Sequence, residues 1–365
     1  MSKVRIGVSG AGWWATTNHL RILAQDPRVE LVGVCRKGPA ELAQVKEDFG
    51  FAYATEEYQE LLDLKLDAMV IASPHHFHYP QACQALERGL HVIVEKPMTT
   101  SAVDAYALAR KADEAGKHIM VPHGWSFRPY GTQAREWISE GRVGEISHIA
   151  MQMASPTRQL FSGERWGGSD MFDEKDNDPD SDAEKVTTFE PSPSTYNDRD
   201  NFGGYGWGQL PHLFGLAFNI APSLNPTKVY ALQQMAPAAA DLFTAATVAF
   251  SNGETGVVSG VATVPLNSPF QVDVRIYGTE GMLLLDVERE RLVLRRDDDD
   301  NADFHIAEGD GDYLCEEPIR RFVSLCLGEQ EHNEAGGWVG AKSVALLEAI
   351  YESAKSDKPV DVLAG

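Results

Sequence analysis

A Glu-Lys-Pro tripeptide stands directly after a run of β-branched residues in the stretch "HVIVEKP", residues 91 to 97. If that run is a strand, it delivers Lys96 to the edge of a sheet. An ammonium group held there, half desolvated, can donate to a hydroxyl and stabilise the oxyanion that develops on it. Glu95 can fix Lys96, and Pro97 ends the strand ladder because it lacks an amide hydrogen. The alternative is a surface ion pair that caps a strand.

A glycine-rich turn near the start of the chain indicates what Lys96 works beside. The stretch "GAGWWA", residues 10 to 15, follows the first apolar run and opens a helical pattern. In that context the glycines let the backbone approach a pyrophosphate at the helix N-terminus. We therefore predict an NAD or NADP site, with an ordinary tight turn as the alternative. The residues expected to hold the dinucleotide are Gly10, Gly12, Trp13, Trp14 and Ala15, with Glu95 and Lys96 at its nicotinamide end.

The end of the second strand bears on the choice between the two cofactors. An NAD site usually has an acidic residue about twenty residues after the turn, where it binds the ribose hydroxyls. Here the stretch is "VGVCRKG", and Arg36 and Lys37 occupy that place. Two cations favour a 2′-phosphate and hence NADP. The alternative is that either cation is a solvated loop charge.

A cluster of histidines follows the next buried run, in "VIASPHHFHYP". A strand that ends at Ser73 and Pro74 lies at the carboxyl edge of the sheet, where a cofactor binds. We expect Ser73, Pro74, His75 and His78 to lie at the cofactor's edge or to pack the helix start. No cysteine or carboxylate stands at a spacing that would complete a metal site, so we predict none.

The order of apolar runs predicts two domains. From residue 4 to about 125, continuous apolar runs alternate with helical patterns, which is typical of a doubly wound parallel sheet. Period-2 runs at 145–153, 227–234, 243–250, 256–264 and 270–277 then predict a mostly antiparallel sheet. We assign residues 1–125 to a Rossmann domain and 126–365 to a second α/β domain. The latter contains a long polar loop, 155–206, and a C-terminal helix, 339–356.

Charge and cysteine content narrow the partners and the compartment. The chain has 54 acidic and 32 basic residues and a formal charge of −22, which repels nucleic acid and anionic membranes. Two acidic stretches, 171–185 and 295–312, read as solvated loops. The four cysteines show no close pairing, and no run of about 18 apolar residues occurs. We therefore expect a soluble cytoplasmic protein.

Taken together, the motifs "GAGWWATTNHL", "VIASPHHFH", "HVIVEKPMTTSAVDAYALA" and "LLEAIYESAKSDKPVDV" resemble the Gfo/Idh/MocA family of oxidoreductases. The resemblance implies a Rossmann domain and a second domain with a large, mostly antiparallel sheet, whose open face often makes a homo-oligomer, a dimer or tetramer. It also implies NAD(P)-dependent oxidation or reduction of sugars and polyols, with Lys96 as a catalytic residue.

Family members usually carry Asp-x-Gly-x-His after a glycine-rich segment, and the matching stretch here is "NFGGYGWGQLPHLFGLAFNI". His212 falls on the family's proton-transfer histidine, but Gly208 stands at the aspartate and Leu210 at the second glycine. His212 is a plausible general base because an ordinary histidine titrates near neutral pH; the alternative is a core histidine at a helix start. Gln209, one residue along, can fill part of the missing polar role.

Further residues are expected to contact substrate. Glycines 203, 204, 206 and 208 are expected to permit close approach of a flat substrate, with Tyr205 and Trp207 as a stacking face and Gln209 as an amide. His123, Trp125 and Arg128 follow another strand and either contact substrate or pack between domains. Tyr196 and Arg199, in the long loop, are further candidates.

These observations predict an NAD(P)-dependent oxidoreductase that transfers a hydride between the nicotinamide and a secondary alcohol of a sugar, sugar derivative or cyclitol. His212 takes the hydroxyl proton and Lys96 stabilises the oxyanion. One alternative is transient sugar oxidation with a tightly bound cofactor, as in glycoside 3-oxidation or redox-assisted glycoside cleavage. Another is an NAD(P)-sensing regulator that has lost the chemistry.

Overall fold

The protein is described from a computed structural model, in which the described residues are 3–164, 189–235, 240–330 and 332–365. Two β-sheets organise these residues. No helix within them combines the length and the apolar character that crossing a bilayer requires.

The first sheet has six parallel strands in the order β3-β2-β1-β4-β5-β6. This is the order of a dinucleotide-binding sheet, so the prediction of a doubly wound parallel sheet is confirmed. The central strands β1, β4 and β5 are almost wholly buried, because helices cover both faces. The strands are β1 (Val4–Ser9), β2 (Val29–Cys35), β3 (Tyr53–Thr55), β4 (Ala68–Ile71), β5 (His91–Val94) and β6 (Ile119–Met120).

Helices follow the strands of this sheet. A π-helical turn, Ala15–His19, leads directly into the first α-helix, and Ser101 caps the fifth by accepting from the Asp104 amide. The helices are α1 (Leu20–Gln25), α2 (Pro39–Phe49), α3 (Tyr58–Leu62), α4 (His78–Glu87), α5 (Ala102–Ala115) and α6 (Pro129–Ser139).

The second sheet has nine strands in the order β14-β13-β12-β11-β7-β10-β9-β8-β15. Only β7 and β10 pair in parallel, which confirms the predicted mostly antiparallel sheet. The five period-2 runs correspond to β7–β11. The strands are β7 (Ile146–Ala154), β8 (Pro226–Met235), β9 (Asp241–Phe250), β10 (Thr255–Val261), β11 (Gln271–Gly278), β12 (Gly281–Asp286), β13 (Arg291–Arg296), β14 (Ala302–His305) and β15 (Val360–Asp361). Strand β14 lies inside the acidic stretch 295–312, so the expectation of a loop there was wrong in part.

The segment between β7 and β8 is more helical than the sequence predicted. Within the expected loop 155–206 lie α7 (Arg158–Ser162) and α8 (Pro193–Tyr196), while the acidic stretch 171–185 falls outside the described residues. Helix α9 (Tyr205–Ile220) begins inside the glycine-rich segment. Every one of its residues is buried, which fits its apolar character on all sides.

The C-terminal part of the chain returns to the first sheet. On α10 (Glu316–Cys326), Ile319, Phe322 and Val323 belong to the same core cluster as β1. Helix α11 (Gly337–Ser356) starts two residues before its predicted start, and a β-bridge joins Gly336 to Met120 beside it. The two sheets are therefore tied together by more than the single connection after β6.

Candidate active site

The glycine-rich turn after β1 has the shape that a dinucleotide needs. Gly10 adopts φ +89°, and a Cβ there would lie 2.2 Å from the Ser73 amide nitrogen, so a glycine is required. Above Gly12 a Cβ would meet nothing within 4 Å, which leaves open space beside the backbone. A phosphate can approach that space closely, so these residues fit an NAD(P) pyrophosphate. Ala15, which was expected to contact the cofactor, is instead buried in the helix packing.

Arg36 and Lys37 have different surroundings. The Arg36 guanidinium donates to the Ala11 carbonyl at 3.0 Å and lies 4.2 Å from the ring centre of Phe189, so it stays at the dinucleotide turn. The Lys37 side chain is 74% exposed and forms an ion pair with Glu57. Arg36 therefore lies beside the glycine-rich turn, whereas Lys37 is a solvated loop charge, which was the alternative for it.

The turn after β4 is held by its own hydrogen bonds. The Ser73 hydroxyl donates to Gln81 at 2.8 Å, and the buried His78 ring contacts the carbonyl oxygens of Ser73 and Pro97, each at 2.8 Å. His78 thus packs two strand-end turns together and does not face a cofactor, contrary to one of its two expected roles. Burial and then the neighbouring His78 lower the pKa of His75 to about 3. Pro74 precedes the short 3₁₀ turn His75–Phe77.

Glu95 is a buried carboxylate at the centre of the cofactor edge. One of its oxygens contacts His19 Nε2 at 2.6 Å and accepts from Trp14 Nε1 at 2.9 Å, and the other accepts from the Lys96 amide at 3.1 Å. Burial alone would raise the pKa of Glu95, but the bond with His19 and the charge of Lys96 bring it down to about 2. The Glu95 carboxylate therefore links the glycine-rich turn to Lys96.

Lys96 follows β5 and precedes a cis peptide bond to Pro97. Its ammonium nitrogen donates to the Gly208 carbonyl at 3.0 Å and lies 5.4 Å from the ring centre of Trp14. Burial lowers the pKa of Lys96, while Glu95 acts in the opposite direction. An ammonium group has three N–H donors, so this one hydrogen bond to Gly208 leaves two donors for a substrate oxygen.

His212 lies on α9, one helical turn after Gly208. It is 3% exposed, and its ring meets Tyr313 and Trp125 edge-on at centroid distances of 4.9 and 5.8 Å. Burial, followed by the charge of Lys96 and by His123, lowers the pKa of His212 well below 6.5. The imidazole is therefore neutral at neutral pH and can accept a proton.

Lys96 and His212 line one cleft between the two sheets. Six aromatic rings follow one another around it, and we name this set the aromatic belt: Tyr196, Trp13, Trp14, Tyr313, Trp125 and Phe270. Consecutive ring centres along the belt are 5.9, 5.8, 6.3, 4.9 and 5.5 Å apart. The other lining residues are Thr157, Leu160 and Gln209. The structure thus brings Tyr196, Trp125 and Gln209 to the cleft, where the sequence placed them.

Four other expected substrate contacts lie outside this lining. The Tyr205 hydroxyl donates to the Met153 carbonyl at 3.0 Å, and Trp207 packs against Phe202 and Tyr351. His123 is 1% exposed and lies behind His212. Arg128 is buried in an ion pair with Glu317, at 2.7 Å. These side chains hold the elements around the cleft because packing and internal hydrogen bonds occupy them.

The glycines before His212 serve the packing of α9, and not the approach of a substrate as the sequence suggested. A Cβ at Gly208 would lie 2.4 Å from the Phe161 ring, and one at Gly206 would lie 2.5 Å from the Tyr351 hydroxyl. At Gly204 a Cβ would lie 2.1 Å from Asp241, whose carboxylate accepts from the Gly206 amide at 3.0 Å. Neighbouring side chains, not ligand, therefore fill the space above these glycines.

Several lining residues escaped the sequence reasoning. Tyr313 and Phe270 stand far along the chain from the motifs and carry no spacing signal, and Thr157 and Leu160 lie at the start of the expected polar loop. His19 does not line the cleft, but it contacts Glu95. It stands in the quoted "TTNHL" stretch, one turn into the helix after the glycines, and that position could have suggested a contact with the strand end. Across the described ranges, no group of three or more His, Cys, Asp or Glu side chains is placed to hold a metal ion.

Comparison with known proteins identifies the first sheet. The model of the oxidoreductase family with an NAD-binding Rossmann fold, GFO_IDH_MocA, matches residues 4–123. Residues 4–123 of this chain are therefore similar to the Gfo/Idh/MocA family. The match contains the glycine-rich turn, Ser73 and Lys96, and the N-terminal domain is accordingly an NAD(P)-binding domain.

Two bacterial dehydrogenases are similar to this chain over part of their length. A 1-carboxy-3-chloro-3,4-dihydroxycyclo hexa-1,5-diene dehydrogenase of Comamonas testosteroni is 36% identical over 147 residues, which is 40% of this chain and 37% of that protein. The D-glucoside 3-dehydrogenase of Escherichia coli (strain K12) is 32% identical over 146 residues, 40% of this chain and 42% of that protein. The matched region thus spans about two fifths of the length of these two relatives.

Solved structures share the fold over the whole chain. An oxidoreductase domain protein from Kribbella flavida superposes with a TM-score of 0.76 at 17% identity, covering 100% of both chains. Levoglucosan dehydrogenase in complex with NADH and levoglucosan gives a TM-score of 0.73 at 18% identity, again covering 100% of both. At such identities the likeness shows a shared fold and leaves the activity to be argued from this chain's own residues.

Proposed function

We propose that the protein is an NAD(P)-dependent oxidoreductase that transfers a hydride between the nicotinamide and a secondary alcohol of a sugar, sugar derivative or cyclitol. The observation that carries this proposal is that the Lys96 ammonium and the neutral His212 imidazole line one cleft beside the dinucleotide turn. Alcohol oxidation needs a proton acceptor and, in the same cleft, a hydrogen-bond donor to the developing oxyanion.

The chain's own groups divide the work. NAD(P), when bound, accepts the hydride from the alcohol carbon. His212 takes the hydroxyl proton as the C–H bond breaks, and Lys96 donates to the oxygen on which negative charge develops. Glu95 accepts from the Lys96 amide and from Trp14, so it holds the glycine-rich turn and the Lys96 ammonium in a fixed relative position. The aromatic belt excludes water from the reacting atoms.

We further infer that residues 1–125 bind the cofactor and residues 126–365 provide the substrate and oligomer surfaces. NADP is the favoured cofactor because Arg36 lies at the dinucleotide turn. The four free cysteines suit a reducing compartment, the cytoplasm.

A homo-oligomer, dimer or tetramer, is the expected assembly. The outer face of β8–β10 exposes Leu232 by 58% and Val257 by 40%, with the small residues Ala245, Thr247 and Ala249 between them. A second copy can pack flat against such a face. Sedimentation of the purified chain tests this expectation, and a Leu232→Glu variant should shift the protein toward the monomer.

A spectrophotometric screen of sugars and cyclitols with NAD and with NADP tests the activity. We expect cofactor reduction with at least one neutral sugar or cyclitol. Nicotinamide absorbance that remains with the protein after gel filtration, without net turnover, would indicate transient oxidation with a retained cofactor. Cofactor binding without reduction across the screen, combined with stoichiometric binding of a partner protein, would support a regulator and contradict the proposal.

A further inference from the structure

The aromatic belt combines a nearly continuous apolar surface with very few polar groups. Among the described residues that line the cleft, the polar side chains of Lys96, His212, Gln209 and Thr157 complete the lining beside the belt, and Lys96 is the one cation. None of these described lining residues is an aspartate, a glutamate or an arginine. The nearby Arg128 does not alter this, because Glu317 and the Asp310 carbonyl occupy its guanidinium.

This lining is poorly suited to a charged substrate. A carboxylate or phosphate taken into a cleft needs several donors to replace its water, and without them its burial costs several kcal/mol. The ammonium of Lys96 already donates to Gly208 and has the Glu95 carboxylate beside it. Its remaining N–H groups are needed by the reacting oxygen, and the other polar side chains of the described lining, Gln209 and Thr157, offer only neutral donors, so no second cation faces an anion there.

The rings of the belt differ in exposure and in their place along it. Trp125 is 1% exposed and lies against His212, whereas Tyr196 and Phe270 are partly exposed and form the two ends of the belt. A hydroxylated ring that reaches Lys96 and His212 therefore leaves any substituent among partly exposed aromatic rings. Flat aromatic groups stack on such rings with a gain of about 0.5–1.5 kcal/mol per pair beyond their buried area.

We propose that the aromatic belt selects a neutral hydroxylated ring that carries a flat aromatic substituent, such as an aryl glycoside, over sugar acids and sugar phosphates. This inference rests on the proposed oxidoreductase function. It assigns Tyr196 and Phe270 to the substituent, and Lys96, His212 and Gln209 to the hydroxylated ring.

The test compares three derivatives of one sugar with the full-length protein and saturating NAD(P). Initial rates of nicotinamide reduction are measured with the 4-nitrophenyl β-glycoside, the methyl β-glycoside and the 4-nitrophenyl β-glycosiduronic acid, in the gluco and galacto series. We expect kcat/KM to be at least about tenfold higher for the aryl glycoside than for either of the others.

Two variants test the assignment of the rings. Tyr196→Leu and Phe270→Leu should each lower the ratio of kcat/KM for the aryl glycoside to kcat/KM for the methyl glycoside by about three- to tenfold. Trp338→Leu, which removes an aromatic ring exposed by 41% on α11, is the matched control and should leave the aryl-to-methyl ratio unchanged.

The outcomes distinguish failure of this inference from failure of the proposed oxidoreductase function. Equal or higher kcat/KM for the uronic acid or the methyl glycoside would overturn the inference while leaving hydride transfer intact. Turnover of free sugars in the screen with none of the three derivatives accepted would also overturn it. Absence of hydride transfer with every sugar, cyclitol and derivative would instead contradict the proposed function.

Discussion

The Lys96 ammonium donates to the main-chain carbonyl of Gly208, at 3.0 Å, which is the helix position where the family resemblance places an aspartate. A carbonyl oxygen orients the ammonium without neutralising it, and burial then lowers the pKa of Lys96. The glycine is needed there because Phe161 fills the space that a side chain would take. This chain thus holds its lysine through the backbone of α9, with Glu95 as the nearby counter-charge.

Replacing Lys96 tests its role directly. We expect Lys96→Ala to lower kcat by about 10²–10³-fold, since it removes the donor to the developing oxyanion. The dissociation constant of the cofactor should stay within a few-fold of the parent, because the glycine-rich turn is untouched. Lys37→Ala, which removes a lysine exposed by 74%, is the matched control. A Lys96→Ala enzyme with most of its activity would remove Lys96 from the chemistry.

A methyl group at position 208 should disturb both stability and catalysis. In Gly208→Ala the new Cβ would lie 2.4 Å from the buried Phe161 ring. Overpacking of this kind costs about 1–3 kcal/mol, which exceeds the gain of about 1 kcal/mol in helix propensity. We expect a lower melting temperature and a lower kcat, since the carbonyl that holds Lys96 must move.

A smaller side chain at position 161 should relieve the contact between the new methyl group and the Phe161 ring. Adding Phe161→Leu to Gly208→Ala should recover part of the lost stability, whereas Phe161→Leu alone should be destabilising. A Gly208→Ala variant as stable and as active as the parent would contradict the packing role given to this glycine.

The pH dependence of alcohol oxidation follows from the two shifted groups. Burial lowers the pKa of His212 well below 6.5, so the base form persists at neutral pH and the rate should fall only on the acid side of that value. Burial also lowers the pKa of Lys96 from 10.5, so the rate should fall on the alkaline side before that pH is reached. Profiles of kcat/KM across this range measure both limbs.

The variant Lys96→Ala sharpens this measurement. Because the charge of Lys96 contributes to the low pKa of His212, its removal should move the acid limb to higher pH and abolish the alkaline limb. An acid limb centred above 6.5 in the parent enzyme would argue against His212 as the base.

Arg36 should set the preference between cofactors. Its guanidinium lies at the dinucleotide turn, where it can pair with a 2′-phosphate, so Arg36→Ala should weaken NADP binding by about ten- to a hundredfold and NAD binding much less. Fluorescence titration of both cofactors measures this difference, and Lys37→Ala serves as the control. Equal losses for NADP and NAD would show that Arg36 only braces the turn.

The sequence predicted the strands whose hydrophobic pattern is strong, and it missed strands that pairing with a neighbouring strand places. The continuous apolar runs of β1, β4 and β5 and the alternating runs of β7–β11 need no tertiary information. Strands β12–β14 were not predicted. Strands β12 and β13 carry consecutive apolar residues without alternation, β14 has four residues, and the three pair in succession outward from β11.

Some residues that line the cleft could be placed there from the sequence, because a strand end or a motif dictates their position. Lys96, His212 and Trp14 are of this kind. The sequence could not tell which face of α9 Trp207 takes, because the ring is held by Tyr351, which lies 144 positions along the chain. Tyr313 and Phe270 reach the cleft through the fold of the second domain, so no local sequence pattern predicted their position.

The return of α10 to the first sheet has a practical consequence for dissecting this protein. Ile319, Phe322 and Val323 cover apolar surface that belongs to the nucleotide-binding half. A fragment that stops at residue 125 would expose that surface to water and lose the bridge between Met120 and Gly336. The gene therefore cannot be split at the boundary that the sequence suggests, and a separately expressed cofactor module would have to carry the α10 segment fused back onto it.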